Sequence, residues 1–125
     1  MDVTTAGTPH WSHDFTRRLF AIIDGRRWNE LGRVFAADCV YHRPGYPALV
    51  GLADIERFYR EERIIESGSH RVEEVMAGDD SLACWGSFQG LSRAGERLDE
   101  RFSDHYRIDD GLISARRTYF YRAAI

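Results

Sequence analysis

One acidic side chain in this sequence lies where acid–base chemistry would need it. The stretch 98–108 alternates between apolar and polar residues as a half-buried strand does, and Asp104 falls on its apolar face between Phe102 and Tyr106. A carboxyl group in such surroundings must find a partner, or its pKa rises. Asp104 is therefore either a working acid or hydrogen-bond donor, or a structural carboxylate paired with an arginine or with backbone amides.

Two more candidates lie together just before a Pro-Gly corner. His42 is the candidate general base because the reference pKa of histidine lies near neutral; the alternative is a histidine bonded to a loop carbonyl. Arg43 is the candidate cation for an enolate or carboxylate, which a guanidinium binds through two N–H groups. The alternative for Arg43 is a salt bridge to Asp104 or Glu100, which would keep Asp104 ionised and weaken its role as an acid.

The other histidines are expected to lie outside the site. His105 falls on the polar face of its strand and is predicted to point outward. His70 opens a strand and is predicted to be structural, and His10 and His13 are predicted to be exposed. The aromatic residues, 13% of the chain, either line a pocket or fill the core. Those predicted to line a pocket are Phe20, Tyr41, Trp85, Phe102 and Tyr106.

Composition excludes several function classes. The chain has 125 residues, a net charge of −3 and no basic stripe, which indicates one domain (residues 10–125) and argues against nucleic acid as a partner. No apolar run is long enough to span a membrane, and residues 1–9 are predicted to be a flexible tail without a signal peptide. Cys39 and Cys84 are predicted to be reduced core residues, and the expected compartment is the cytoplasm. Neither metal-ligand spacing nor a glycine-rich phosphate loop is present, so we expect no metal and no cofactor.

The elements that position these residues follow from periodicity and turn signals. The first predicted helix has Thr8 as N-cap and ends at Asp24-Gly25. Two further helices are predicted over 28–35 and 52–66. Strands are predicted over 39–43, 70–76, 82–89, 98–108 and 112–121. Three helices on one side of a curved antiparallel sheet make an α+β domain that encloses a pocket.

Several segments, taken with this order of elements, resemble the SnoaL-like branch of the NTF2-like superfamily. They are Phe-Ala-Ala-Asp at 35–38, Gly51 through Phe58-Tyr59, and Asp-Asp-Gly-Leu-Ile at 109–113 ahead of Arg-Thr-Tyr-Phe at 117–120. The segment 42–45 is similar to a His-x-Pro-Gly segment of many SnoaL-like proteins. The resemblance implies a cone-shaped fold and a homodimer formed through the open face of the sheet. The fold hosts many chemistries and several non-enzymes, so the resemblance by itself does not select an activity.

One pattern within this superfamily bears on Asp104. The segment Asp-His-Tyr at 104–106 resembles the Asp-His-Phe pattern of ketosteroid isomerases, which implies that Asp104 donates a hydrogen bond to a developing oxyanion. The isomerase base falls at Arg43, and its tyrosine falls near Leu19 or Phe20. Two of the three parts of that mechanism are therefore missing.

Two other catalytic patterns of this superfamily are not matched by the residues at their positions. The Arg and Asp residues of the epoxide hydrolases fall at Trp85, Ser87 and Thr118, and none of these has the required type. The carboxylate of phenazine-pathway proteins also falls at Thr118. Both mechanisms are therefore incomplete here, and we expect Ser87 and Thr118 to be substrate-binding residues.

The sequence therefore predicts a cofactor-free acid–base enzyme acting on a small apolar, polyketide-like metabolite by cyclisation, isomerisation or dehydration. Asp104 would be the acid or donor, His42 the base, and Arg43 the group that stabilises negative charge. The alternative is a non-catalytic domain of the same fold that binds a small molecule or a partner protein. An enclosed pocket with Asp104 at its base would favour the enzyme, and a cavity filled by Trp85 and Phe102 would favour the alternative.

Overall fold

The computed structural model describes residues 10–121. Its helical segments all come before the last four strands of a six-stranded sheet. The helical segments are α1 (His10–Asp24), a 3-10 helix (Trp28–Arg33), α2 (Leu52–Arg57) and a π-helical turn (Phe58–Glu62). The strands are β1 (Phe35–His42), β2 (Leu49–Val50), β3 (Ile65–Ala77), β4 (Ser81–Ser92), β5 (Arg97–Asp109) and β6 (Leu112–Phe120). The α+β class and the curved sheet predicted from the sequence are confirmed.

Helix α1 forms because its apolar residues recur at helical spacing. Phe15, Leu19, Ile22 and Ile23 are all buried against the sheet. The helix ends at Asp24, as predicted, and the chain then turns at Gly25-Arg26, where Arg26 takes a positive φ of 56°. The predicted N-cap and the predicted tail, residues 1–9, lie outside the described residues.

The sheet has the strand order β2-β1-β6-β5-β4-β3, so β3 is a long edge strand. All neighbouring strands are antiparallel except β1 and β6, which are parallel, a pairing that the sequence reading did not include. Strict alternation along β5 buries Asp104 and exposes His105, as predicted. We call the face of the sheet that carries Asp104 the inner face.

Several of the predicted boundaries are wrong. The second predicted helix is a 3-10 helix that ends at Arg33, because strand β1 already begins at Phe35. The third predicted helix gives way to a π-helical turn and then to β3, whose first residue is Ile65. Pairing of Ile65 with Ser92 of β4 supplies the backbone hydrogen bonds there, so sheet formation overrides the helical periodicity.

The two cysteines are free and buried, which confirms the prediction of reduced core residues. Burial raises the pKa of Cys39 to about 11 and that of Cys84 to about 12, so neither is a thiolate at neutral pH. Across residues 10–121, every helix is too short or too polar to cross a lipid bilayer.

Candidate active site

Asp104 is the centre of a buried polar cluster on the inner face. Its side chain is 1% exposed, and Arg116 donates a hydrogen bond to its Oδ2 over 2.9 Å. The Tyr106 hydroxyl donates to the same oxygen over 2.9 Å, and the Thr118 hydroxyl donates to Oδ1. Both carboxylate oxygens of Asp104 therefore accept hydrogen bonds, as a buried carboxylate requires.

The cation that neutralises Asp104 decides its protonation state. Burial alone would raise the pKa of Asp104, but Arg116 and the Thr118 hydroxyl outweigh burial and hold that pKa below its usual value. The same ion pair raises the pKa of Arg116 well above its usual value, although burial opposes this. At neutral pH Asp104 is thus a carboxylate that anchors a cation, which is the structural alternative that the sequence left open.

The hydroxyl groups around this ion pair form a chain of hydrogen bonds in which each hydroxyl donates toward Asp104. Thr118 gives its only hydroxyl proton to Asp104, so the Tyr41 hydroxyl, 2.8 Å from Thr118 Oγ1, must donate to Thr118. Arg43 then donates to the Tyr41 oxygen over 2.9 Å. Arg43 is buried, and its guanidinium carbon lies 5.0 Å from the ring centroid of Phe120. The structure thus brings Arg43, Tyr41 and Thr118 together with Asp104, and the roles predicted for them stay predictions.

The placement of His42 contradicts its predicted role as the base of this cluster. Tyr41 points to the inner face, so the next side chain along β1 points away from it. His42 pairs with Arg117 of β6, which in turn pairs with the exposed His105 of β5. His42 therefore lies on the outer face of the sheet, opposite to Asp104.

Trp85 and Ser87 also lie on the outer face. Trp85 pairs with Ser103, and Ser87 pairs with the exposed Arg101, whereas Cys84 pairs with Asp104. The alternation of β4 turns both predicted substrate-binding residues away from the inner face. The expectation that Trp85 and Ser87 line the same site as Asp104 is wrong.

His70, which was predicted to be structural, lies next to this cluster. Nδ1 of His70 lies 2.6 Å from Oδ1 of Asp24, and the His70 backbone N–H donates to Oδ2 over 2.8 Å. Burial lowers the pKa of His70 below its usual value, although Asp24 opposes this. The ring stacks on Phe20 at 4.3 Å between centroids and meets Phe102 edge-on at 5.2 Å.

Two spaces meet at His70. The first, which we call the cleft, lies between α1 and β3 and has a volume of about 890 Å³. Its lining includes His13, Thr16, Phe20, Asp24, His70 and Val72. We call the second the inner cavity: it has about 10 Å³, room for about one water molecule. Its lining includes Tyr59, Arg63, His70, Phe102, Asp104 and Arg116. Phe20, His70 and Phe102 form the wall between the cleft and the inner cavity.

Comparison with known proteins agrees with this architecture. A family model for the SnoaL-like domain matches residues 16–116. The chain belongs to the SnoaL-like family. This SnoaL-like chain superimposes on an NTF2-like protein of unknown function from Burkholderia pseudomallei with a TM-score of 0.80, at 13% identity over 90% of this chain and 92% of that one. No curated protein shows a significant sequence match.

Two further solved structures carry names that mention an activity. A candidate SnoaL-like polyketide cyclase from Jannaschia sp. superimposes on this SnoaL-like chain with a TM-score of 0.75, at 14% identity over 89% of this chain and 85% of that one. A candidate ketosteroid isomerase from Kribbella flavida superimposes with a TM-score of 0.73, at 21% identity over 96% of this chain and 84% of that one. At these identities the likeness shows the shared fold, and the resemblance expected from the sequence is confirmed.

The SnoaL-like chain offers no metal centre among its described residues, where no three His, Cys, Asp or Glu side chains converge. Its distinctive feature is the pair His70–Asp24, which the sequence reading missed. One signal was available: Asp24 is the last residue of α1, and an acid there opposes the helix dipole. An acidic residue at that position needs another reason, and its two hydrogen bonds to His70 supply it.

Proposed function

We propose that this SnoaL-like chain is a cofactor-free acid–base enzyme in which His70 is the general base. The observation that carries the proposal is the pair of hydrogen bonds from His70 to Asp24. They fix the ring and place the proton on Nδ1, which leaves the lone pair on Nε2 free to accept a proton. Because the pKa of His70 is lowered by burial, the ring is neutral and basic at pH 7.

A single base, His70, close to the three arginines of the inner cavity favours reactions that begin with removal of a proton and pass through an anion. His70 Nε2 would remove a proton from a carbon next to a carbonyl group, and the C–H electron pair would move to the carbonyl oxygen as an enolate. Return of that proton to another carbon is an isomerisation, and its transfer to a departing hydroxyl group is a dehydration. If the enolate carbon instead attacks a second carbonyl of the same molecule, whose oxygen takes the proton, the result is a cyclisation.

The inner cavity supplies the charge that an enolate needs. Three guanidinium groups line it, from Arg43, Arg63 and Arg116, against the one carboxylate of Asp104 among the described lining residues. These cations lie behind the wall of Phe20, His70 and Phe102, so they would act on an enolate in the cleft through their electric field rather than by contact. The placed base would supply most of the acceleration, about 10²- to 10⁴-fold. Asp104 acts here through Arg116, as a positioning residue.

The cleft provides the room for a substrate. Its volume of about 890 Å³ lies in the range of small-molecule sites, and Phe20 and Val72 give it apolar wall. A small, largely apolar, polyketide-like metabolite would lie there with its acidic carbon against His70. With the likeness to a candidate polyketide cyclase, we propose a role in natural-product biosynthesis.

The experiment is base-catalysed deuterium exchange. Small cyclic ketones and β-keto esters are incubated with the full chain in D₂O, and loss of the α-proton signal is followed by NMR. His70→Asn keeps an amide N–H near Asp24 but has no basic nitrogen, so exchange should fall by about 10²- to 10⁴-fold. His105→Asn, on the exposed outer face, is the matched control and should exchange as the unmodified chain does. Equal rates in His70→Asn and the unmodified chain would contradict the proposal.

One observation favours a non-catalytic ligand-binding domain instead. The inner cavity holds about one water molecule, so Asp104 does not lie at the base of a substrate-sized enclosed pocket. A ligand of such a domain would occupy the cleft alone. In that case ketones would bind, with chemical shift changes at residues such as Val72, and none would exchange faster than in buffer.

A further inference from the structure

Strand β3 is an outer edge of the sheet, so alternate residues point their backbone N–H and C=O groups away from β4. Two of these groups are bound by the end of α1 and the turn that follows it. Asp24 Oδ2 accepts the N–H of His70 over 2.8 Å, and Arg26 donates to the carbonyl of Glu66. Over residues 67–72, where the register with β4 is regular, the groups that point to the edge therefore belong to the even-numbered residues.

After the N–H of His70, the next one along this edge belongs to Val72. Val72 packs half-buried against the core and lines the cleft, as Asp24 does, so the edge of β3 faces the cleft at this point. Within residues 10–121, no group accepts a hydrogen bond from the Val72 N–H. The regular pairing with β4 ends directly after it, at a register shift between Val72 and Glu74. Bulges of this kind are over-represented next to active sites.

An enolate in the cleft needs a hydrogen-bond donor within contact distance, and the side chains of α1 are poorly placed to supply it. The Thr16 hydroxyl already donates to a carbonyl one helical turn before it. Arg17 is ion-paired within α1, and its side chain is 72% exposed. His13 lies about three turns, about 16 Å, before Asp24, which holds the base. A main-chain donor from Val72 is nearer to the base than any of these positions is to it along α1.

We propose that the backbone N–H of Val72 donates a hydrogen bond to the carbonyl oxygen of the substrate as the enolate forms. The inference rests on the proposed function, because it adds the contact donor for the same reaction. His70 takes the proton from the carbon next to the carbonyl group, and the C–H electron pair moves to the oxygen that Val72 binds. A strand rises about 3.3 Å per residue, so the two residues lie about 7 Å apart. A carbonyl group and its neighbouring carbon, with a contact of about 3 Å at each end, span that distance.

The first test reads binding without turnover. The full chain is labelled with 15N, and its backbone N–H signals are recorded while cyclohexanone is added. The Val72 proton should move downfield in a saturable manner, whereas that of Gly68, on the same edge but outside the cleft lining, should not. Methylenecyclohexane has the same shape and no oxygen, so it should not move the Val72 proton downfield. His70→Asn should keep the response to cyclohexanone, because the contact does not use the base.

The second test removes only the N–H group. The full chain is made with the α-hydroxy acid that corresponds to valine at position 72, so an ester oxygen replaces the Val72 N–H and every N–H that bonds to β4 is kept. Deuterium exchange should slow by about 10- to 10²-fold, which is less than the about 10²- to 10³-fold of a donor in a closed site. The matched control has the same replacement at Gly68, whose N–H also points to the edge, and should exchange as the unmodified chain does.

Three results would overturn the proposal. They are a Val72 proton that does not respond to cyclohexanone, an equal response to methylenecyclohexane, and equal exchange rates in the two ester chains. Slow exchange in His70→Asn beside full exchange in the Val72 ester would keep the base and remove this donor. A ketone-specific shift at Val72 in a chain without exchange activity would support the contact and contradict the base, so the two proposals fail separately.

Discussion

Asp24 and His70 are joined by two hydrogen bonds although 46 residues separate them in the chain. One carboxylate oxygen of Asp24 faces Nδ1 of the ring, and the other accepts the backbone N–H of the same residue. The backbone bond fixes which oxygen is left for the ring, and the ring bond fixes the tautomer. Together they give this half-buried histidine a defined basic nitrogen.

Asp24→Asn should remove this basic nitrogen without removing the histidine. The amide oxygen of Asn would accept the backbone N–H of His70, which turns the amide N–H₂ toward Nδ1. Nδ1 must then accept, so the ring proton moves to Nε2 and the base is lost. We expect the α-proton exchange rate to fall by about 10²-fold or more. Asp14→Asn, near the start of the same helix and exposed, is the control and should keep the full rate.

The stability of the fold should depend on pH through His70. The folded-state pKa of His70 lies below its usual value of 6.5, so the unfolded chain binds this proton more tightly. The stabilisation is complete above about pH 6.5 and is lost as the pH falls from there through the folded-state pKa, by up to about 1.4 kcal/mol per pH unit. Asp24, Asp104 and Arg116 are the charged groups whose fields act on the ring.

The check is urea unfolding at pH 7.5 and pH 5.5. The unmodified chain should lose more free energy of unfolding between these values than His70→Asn does, because the variant has no proton to bind at that position. His13→Asn, whose side chain is exposed on α1, should follow the unmodified chain. Parallel losses in all three chains would show that His70 does not titrate differently on folding.

The burial of Asp104 was predictable because a strand exposes alternate side chains, and residues 98–108 alternate without interruption. The pairing of Asp104 with Arg116 and Thr118 was not predictable. Counting back from the turn at Asp110-Gly111 places Arg117 opposite Asp104, but a bulge between Arg107 and Ile108 shifts the register by one residue. The shift places Thr118 opposite Asp104 and turns Arg116 inward. A one-residue change of register reverses the face of a whole strand, and sequence alone does not reveal it.

The error at His42 and the omission of His70 have different causes. Both Tyr41 and His42 are predicted from the sequence to lie at the site, although neighbouring side chains of a strand face opposite ways. The structure turns Tyr41 inward and therefore His42 outward. His70 becomes functional through Asp24, on another element. Such a tertiary contact leaves no periodic pattern, only the unusual acid at the end of α1.

The outer face of the sheet is proposed as a homodimer interface. Arg101, His105 and Arg107 are exposed on this face, and Tyr119 is 51% exposed with its ring 5.5 Å from that of His105. Sedimentation should show a dimer at micromolar concentration. Tyr119→Arg adds a cation to a surface that already carries several, so it should shift the chain to monomer.

Val50→Arg is the control for this interface. Val50 is 62% exposed but lies on the short edge strand β2, away from the centre of the outer face. It should sediment as the unmodified chain does. A monomer in the unmodified chain at micromolar concentration would remove the dimer, and a persistent dimer in Tyr119→Arg would move the interface elsewhere.

Asp104→Asn should destabilise the fold because it leaves Arg116 buried without a counter-charge. Breaking one side of a buried ion pair costs about 3–5 kcal/mol in the free energy of unfolding. Asp99→Asn, exposed on the outer face of the same strand, should change that free energy by less than about 0.5 kcal/mol. Urea unfolding of both variants measures the difference.

A double substitution separates an ion pair from a general effect of altering the core. Asp104→Leu alone should cost about as much as Asp104→Asn, since Arg116 is stranded in both. Adding Arg116→Met to Asp104→Leu removes the stranded cation, so the pair should regain part of the lost stability, and the double-substitution cycle should show coupling of about 0.5–3 kcal/mol. The Tyr59 and Tyr106 hydroxyls, which now bind Arg116 and Asp104, would lose their partners and limit the recovery. Additive losses from the two single substitutions would mean that Asp104 and Arg116 do not stabilise the fold through each other.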